Sequence, residues 1–144
     1  MMNQFTILMA LPLFAMAFLT LIVLITLARS RFKAAKAREV DVSYYKVYQG
    51  SEEPEHIRKI SRNYSNLFEA PVLFYLAVIL TMTLKIQSYT LLVLAWTFVI
   101  LRHFHSYIHC RSNKVIHRFR LFALSVGVLF AYWVVLLINL ILMV

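Results

Sequence analysis

Two runs of 24 residues, 5–28 and 121–144, contain no charged side chain. At about 1.5 Å of helical rise per residue, either run is long enough to cross a hydrocarbon core of roughly 30 Å. Lipid offers no partners to backbone N–H and C=O groups, so only helices and closed barrels span it. No segment alternates polar and apolar residues as barrel strands do, and the chain is expected to be all-α. An apolar content of 62% with 15% charged residues lies far from the balance of a soluble domain and agrees with that expectation. With 2 Gly and 3 Pro there is no glycine-rich phosphate loop and no flexible linker, so residues 1–144 read as a single membrane domain.

Residues 1–4 carry no Lys or Arg and the first apolar run is too long for a signal peptide, so the first helix is expected to remain in place. A second span covers about 67–84 and is interrupted by Glu69. A third begins after Lys85, Ile86 and Gln87, which leave room only for a tight antiparallel hairpin. Its uncharged part, 88–101, is 14 residues long, so a full crossing requires the helix to continue through Arg102, His103, His105 and His109 to about residue 110. The four expected spans are 5–28, 67–84, 88–110 and 121–144, forming a membrane four-helix bundle.

Nine Lys and Arg residues lie in 29–62 and five in 102–120; the remaining one is Lys85. The positive-inside rule then puts the long loop 29–66 and the loop after the third span in the cytoplasm, with both chain ends outside it. The net charge of +9 suits anionic lipid headgroups, and no basic segment has the aromatic interleaving expected of a nucleic-acid binder. Within the long loop, Ser51 followed by Glu52, Glu53 and Pro54 reads as a helix start. That helix would run on to Leu84, bent by Pro71 just beyond Glu69. The basic and then aromatic stretch 29–48 is either a loop or a helix lying on the surface.

Ionisable residues within a span cost about 2.5–3.5 kcal/mol on insertion scales, so each faces protein or water. At 100° per residue Arg62, Asn66 and Glu69 fall at about 0°, 40° and 340°, and Arg102, His105 and His109 at about 0°, 300° and 340°. Two polar stripes therefore reach the same face of the membrane. They have two readings. In one, Arg102 neutralises Glu69 as a structural ion pair and the histidines cap carbonyls. In the other, the surplus of Arg29, Arg62, Arg102 and Arg118 over a single carboxylate suits an anionic ligand. His105 and His109 also have the i, i+4 spacing of haem or metal ligands, but the other spans contain no histidine and no metal is expected. The lone Cys110 excludes disulfides and multi-cysteine metal motifs, and reads as a packing residue.

Arg62-x-x-x-Asn66-x-x-Glu69 on the second span, followed by Arg102-x-x-His105-x-x-x-His109 on the third, resembles the MAPEG family, the membrane-associated proteins in eicosanoid and glutathione metabolism. Arg29 and Arg31 closing the first helix, the long first loop and the short second connection extend the likeness over nearly the whole chain. The resemblance implies a homotrimer of four-helix subunits, with glutathione as co-substrate bound between neighbours and a lipophilic substrate arriving from the bilayer. By position it implies that Arg29, Arg62, Asn66, Glu69, His105 and His109 hold glutathione, and that Arg118 activates the thiol, with Arg120 as the rival. Ala70 stands where a leukotriene-forming member has a ligand-binding Tyr, and His109 replaces a Tyr. The run His105-Ser106-x-Ile108-His109-x-x-x-Asn113-x-x-x-x-Arg118 looks like the bacterial branch and implies a bacterial inner membrane. The function implied is a glutathione-dependent transferase or peroxidase acting on lipophilic electrophiles or hydroperoxides. The alternative is a non-catalytic lipid- or protein-binding scaffold of the same fold.

Overall fold

The computed structural model describes residues 4–48 and 53–143, and among them every regular element is helical. α1 spans Gln4–Lys36, α2 Tyr44–Val47, α3 Glu55–Asn66, α4 Ala70–Thr83, α5 Tyr89–Cys110 and α6 Val115–Ile141. Four helical stretches are long and apolar enough to cross a membrane: α1, α3 with α4 (Glu55–Thr83), α5 and α6. This is a multi-pass membrane protein built as an all-α four-helix bundle.

The apolar content of α1 is not arranged as one face. Phe5, Met9, Pro12, Met16, Leu19, Val23 and Leu27 form a buried stripe, while Phe14, Phe18, Leu21, Ile22 and Ile25 are exposed on the other side. A helix that is hydrophobic all round belongs in lipid, where the outer face needs no polar cover. Inside the bundle, Phe74 of α4 stacks on Phe98 of α5 with ring centroids 4.6 Å apart. Nearer the hairpin a polar bridge links α4 to α6: Thr81 Oγ1 and Tyr132 Oη are 2.8 Å apart, and the Thr81 hydroxyl also donates to the Ala77 carbonyl. Buried hydroxyls without such partners are costly, which explains why the two occur opposite each other.

Helix ends are closed by local chemistry. α1 continues past the expected limit of its span to Lys36, so the first part of the stretch 29–48 is helix. It ends with Arg38 at φ 57°, where the Glu39 N–H reaches the Ala34 carbonyl and the Arg38 N–H the Ala35 carbonyl. α4 ends the same way on Lys85 at φ 55°, with the Ile86 N–H on the Thr81 carbonyl. Both are Schellman motifs made without glycine. The hairpin into α5 is as short as its sequence requires, and Ser88 caps the new helix by accepting the Leu91 N–H at 3.5 Å. α5 then runs unbroken through Arg102, His105 and His109 to Cys110.

The second span departs from expectation in one respect. Its break covers 67–69, ahead of Pro71 and including Glu69, so the helix is interrupted at Glu69 and the two residues before it instead of just beyond Glu69. The reason is steric: a proline ring crowds the carbonyl four residues back, here that of Leu67, and has no N–H to donate to it, so the break falls on its N-terminal side. Pro71 itself sits comfortably in the first turn of α4. The expected helix start at Ser51 lies outside the described residues; α3 opens behind Pro54, whose carbonyl accepts the Ile57 and Arg58 N–H groups.

A polar clamp ties the segment before α3 to α1. Arg31 Nε donates to Glu53 Oε1 at 2.9 Å, and its Nη2 donates to Ser61 Oγ at 3.3 Å. Its guanidinium lies over the Tyr45 ring, while the Tyr45 hydroxyl donates to the same carboxylate oxygen at 3.2 Å. Burial and the neighbouring Glu53 carboxylate push the Tyr45 phenol up. Glu53 is only 6% exposed, whereas Arg31 is 27% exposed, so the cost of breaking the clamp is concentrated on the carboxylate. Arg31→Ala is expected to lower stability by about 1–3 kcal/mol through the stranded Glu53, and Glu53→Gln by less. Thermal unfolding in detergent measures both, and proteolysis between α1 and α3 is expected to accelerate in Arg31→Ala first.

Candidate functional site

The polar half of α5 is the core of the site. Arg102 (0% exposed), His105 and His109 are all buried, although each lies on a span, because they face α3 and α6 and not lipid. Arg102 Nη2 donates to the Asn66 carbonyl at 2.8 Å, one of the carbonyls freed where α3 breaks. Its guanidinium also lies over the Phe122 ring, 5.7 Å from the centroid. Arg102 interacts with Glu69 through space, but it forms no contact ion pair with it. Its Nε and Nη1 have no partner among the described residues.

Glu69 takes a different partner. With the Asn66 amide turned so that nitrogen faces the carboxylate, Asn66 Nδ2 donates to both Glu69 oxygens at 3.2 Å. Glu69 has left helical geometry, at φ −97° and ψ −105°, so the expected common stripe holds only as far as Asn66. The side chains nonetheless meet across the break.

The two histidines are held in opposite senses. His105 Nδ1 donates to the Arg118 carbonyl at 3.0 Å, leaving its buried Nε2 without a partner. Arg118 Nη1 donates to His109 Nε2 at 3.2 Å, which requires that nitrogen to be unprotonated and places the ring hydrogen on the buried, unpartnered Nδ1. The same Nη1 donates to Asn113 Oδ1 at 2.8 Å. Arg118 is thereby drawn from α6 onto the end of α5.

A recess of about 320 Å³ opens beside this cluster, lined by Glu55, Arg58, Lys59, Arg62, His109, Asn113 and Arg118. Of the sequence-predicted site residues it therefore gathers Arg62, His109 and Arg118. His105 packs behind it, and Asn66 with Glu69 lies one turn further along the second span. Arg29 is exposed on α1 and does not line the recess. Arg120 points elsewhere, into an apolar groove with Leu94, Phe119 and Ala123. Glu55, Arg58 and Lys59 were not among the predicted site residues, although their spacing with Arg62 puts all four on one helical face. Asn63, also missed, is fully buried and donates to Ser106 Oγ at 2.6 Å and to Cys110 Sγ at 3.3 Å, locking α3 against α5.

These features define a class: a four-span helical membrane protein with a cationic recess at one end of its bundle. A family model for the MAPEG family matches residues 9–138, and the chain belongs to that family of membrane proteins in eicosanoid and glutathione metabolism. Comparison with curated proteins and with solved structures finds no match.

The Asn63 contacts yield a direct expectation. Asn63→Ala removes two hydrogen bonds and opens a gap beside Cys110, at a cost of about 1–3 kcal/mol. Alkylation of Cys110 by a small maleimide is expected to run several-fold faster in that variant than in the wild type, as followed by mass spectrometry.

Proposed function

We propose that the chain is a glutathione-dependent transferase or peroxidase whose thiol is ionised by Arg118. The observation that carries this reading is the recess itself, where Arg62, Lys59 and Arg118 face one cavity and its one carboxylate, Glu55, is outnumbered. Such a balance suits a small anionic ligand, and glutathione brings two carboxylates and an ionisable thiol. Membership of the MAPEG family supports the same ligand.

The energetics are sufficient. A thiol with an ordinary pKa near 8.5 needs a shift of about two units, or roughly 2.7 kcal/mol, to be mostly ionised at neutral pH. A guanidinium at about 4 Å and an effective dielectric of about 20 supplies on the order of 4 kcal/mol before desolvation. Once the proton has left, the sulfur forms a bond to an electrophilic carbon, or takes the distal oxygen of a hydroperoxide while the alkoxide leaves and is protonated. Arg62, with Asn66 and Glu69 beyond it, would fix the charged ends of the peptide, and fixed geometry is itself a large part of the rate. His109, which lines the recess beside Arg118, would also meet the peptide, while His105 would act on it only by supporting Arg118 from behind. Arg29 is exposed on α1 and does not line the recess, so its assigned role goes with a homotrimer in which a neighbour would supply it. The basic ends of the helices would lie at the cytoplasmic face, in a bacterial inner membrane, with both chain ends on the other side. Lipophilic substrate would approach through the apolar outer surface.

Glutathione at about 100 times its Kd is expected to stabilise the purified protein by about 2.7 kcal/mol. Thermal unfolding in detergent measures this, and the shift is expected to shrink in Glu69→Gln. Difference ultraviolet spectra are expected to show a thiolate band that Arg118→Ala abolishes and Arg120→Ala retains. Absence of both stabilisation and band in wild-type protein would refute the proposal. Retention of a bound lipid or membrane protein, with no glutathione effect, would point instead to a scaffold.

A further inference from the structure

Arg118 is held by more than its own helix. Both of its side-chain hydrogen bonds to described residues use Nη1, one to His109 Nε2 and one to Asn113 Oδ1. A terminal guanidinium nitrogen carries two hydrogens, so Nη1 is saturated, and two acceptors in different directions fix the plane of the fork. Nε and Nη2 remain as the donors available to an anion in the recess.

Asn113 provides its acceptor from an unusual position. Its backbone is left-handed, at φ 48°, and its N–H closes back onto the Ile108 carbonyl at 2.7 Å. The residue therefore ends α5 and reaches across the turn to the first part of α6. Few side chains meet both demands: left-handed backbone favours Gly, Asn and Asp. Gly has no acceptor, and Asp would set a negative charge against the guanidinium. Asn is the residue that satisfies the turn and holds Arg118 without neutralising it.

We propose that Asn113 is a positioning residue for Arg118, orienting the guanidinium so that Nε and Nη2 serve the thiol of bound glutathione. This rests on the glutathione reading above, and it assigns Asn113 no contact with the reacting atoms. It explains why the turn after α5 is built on a polar residue at positive φ that lines the recess.

The test uses the full chain in lipid nanodiscs, with Asn113→Gly as the informative variant because glycine keeps the left-handed turn and removes only the acceptor. Lys85→Gly, at another positive-φ position remote from the recess, controls for the added backbone freedom. Two signals are measured: the pH profile of the glutathione thiolate band, and the rate at which an arginine-selective dicarbonyl modifies Arg118 without glutathione, read by peptide mass. Asn113→Gly is expected to move the thiolate profile to higher pH, with a several-fold loss of thiolate at neutral pH, and to raise the Arg118 modification rate several-fold. Lys85→Gly is expected to change neither. If wild-type protein shows the band and Asn113→Gly leaves both signals unchanged, the positioning role is overturned while the glutathione reading stands. If wild-type protein shows no band, that reading falls, and the modification rate alone decides: faster in Asn113→Gly upholds the Asn113–Arg118 anchor, unchanged refutes it.

Discussion

A charge within hydrocarbon must find protein or water, and that constraint shapes the basic end of this bundle. Arg102 is the clearest case. It sits on a span with no exposed surface, and it is tolerated because the break between α3 and α4 frees the Asn66 carbonyl to accept from it. Pro71 causes that break, so a backbone defect in one span and a buried cation in the next are complementary. Neither would be stable alone: the orphaned carbonyl and the guanidinium would each carry a desolvation cost. The His105 and His109 contacts to Arg118 extend the same arrangement to α6. Three of the four spans are thus joined through these buried residues, and Arg31 ties α1 to Ser61 of α3 at the same end.

Much of this was legible in sequence because lipid imposes lengths. The uncharged part of the third span was too short to cross, which forced α5 through Arg102, His105 and His109, and once there they could not face lipid. The Arg62–Asn66 register was legible for the same reason, since α3 is regular as far as Asn66. What escaped prediction depends on where regular geometry stops. Glu69 was placed on the stripe by assuming an unbroken helix, yet its backbone has left that geometry, and it reaches Asn66 by a different route. Arg120 stands as a rival to Arg118 in the sequence because the turn after α5 sets the rotation of α6, and no periodicity crosses a turn. The structure puts about half a helical rotation between them, one over the recess and the other in an apolar groove. The Arg31–Glu53 clamp, across 22 residues, had no local signature at all.

Polar groups left unpaired in the centre of the cluster carry their own meaning. Asn63 Oδ1, Arg102 Nε and Nη1, His105 Nε2 and His109 Nδ1 are buried without partners among the described residues. In ordinary interiors such groups are rare, and they accumulate where strain, water or ligand chemistry is served. Here they belong to one polar cluster: two histidines whose other ring nitrogens meet Arg118, the buried Arg102, and the Asn63 amide that locks α3 against α5. The unpaired groups lie at the basic end of the bundle, whereas the Thr81–Tyr132 bridge near the α4–α5 hairpin is fully paired. That contrast sets a fully paired polar bridge at one end of the bundle against a polar cluster with spare hydrogen-bonding capacity at the other.

The division of labour along the bundle follows. Midway along the spans, Phe74, Ala77, Ala95 and Phe98 give a packed interior with no room for chemistry. At the basic end the spans are tied by hydrogen bonds of limited individual worth, about 0.6 kcal/mol on average between membrane helices. A region held that way can accommodate an anion by modest side-chain shifts while the apolar part holds the helices in register. The same logic accounts for the long extension of α1 to Lys36 and for its clamp on Glu53. They hold α3 over the recess from outside the hydrocarbon, where water would otherwise compete for every one of those contacts, and so keep Arg58, Lys59 and Arg62 facing Arg118.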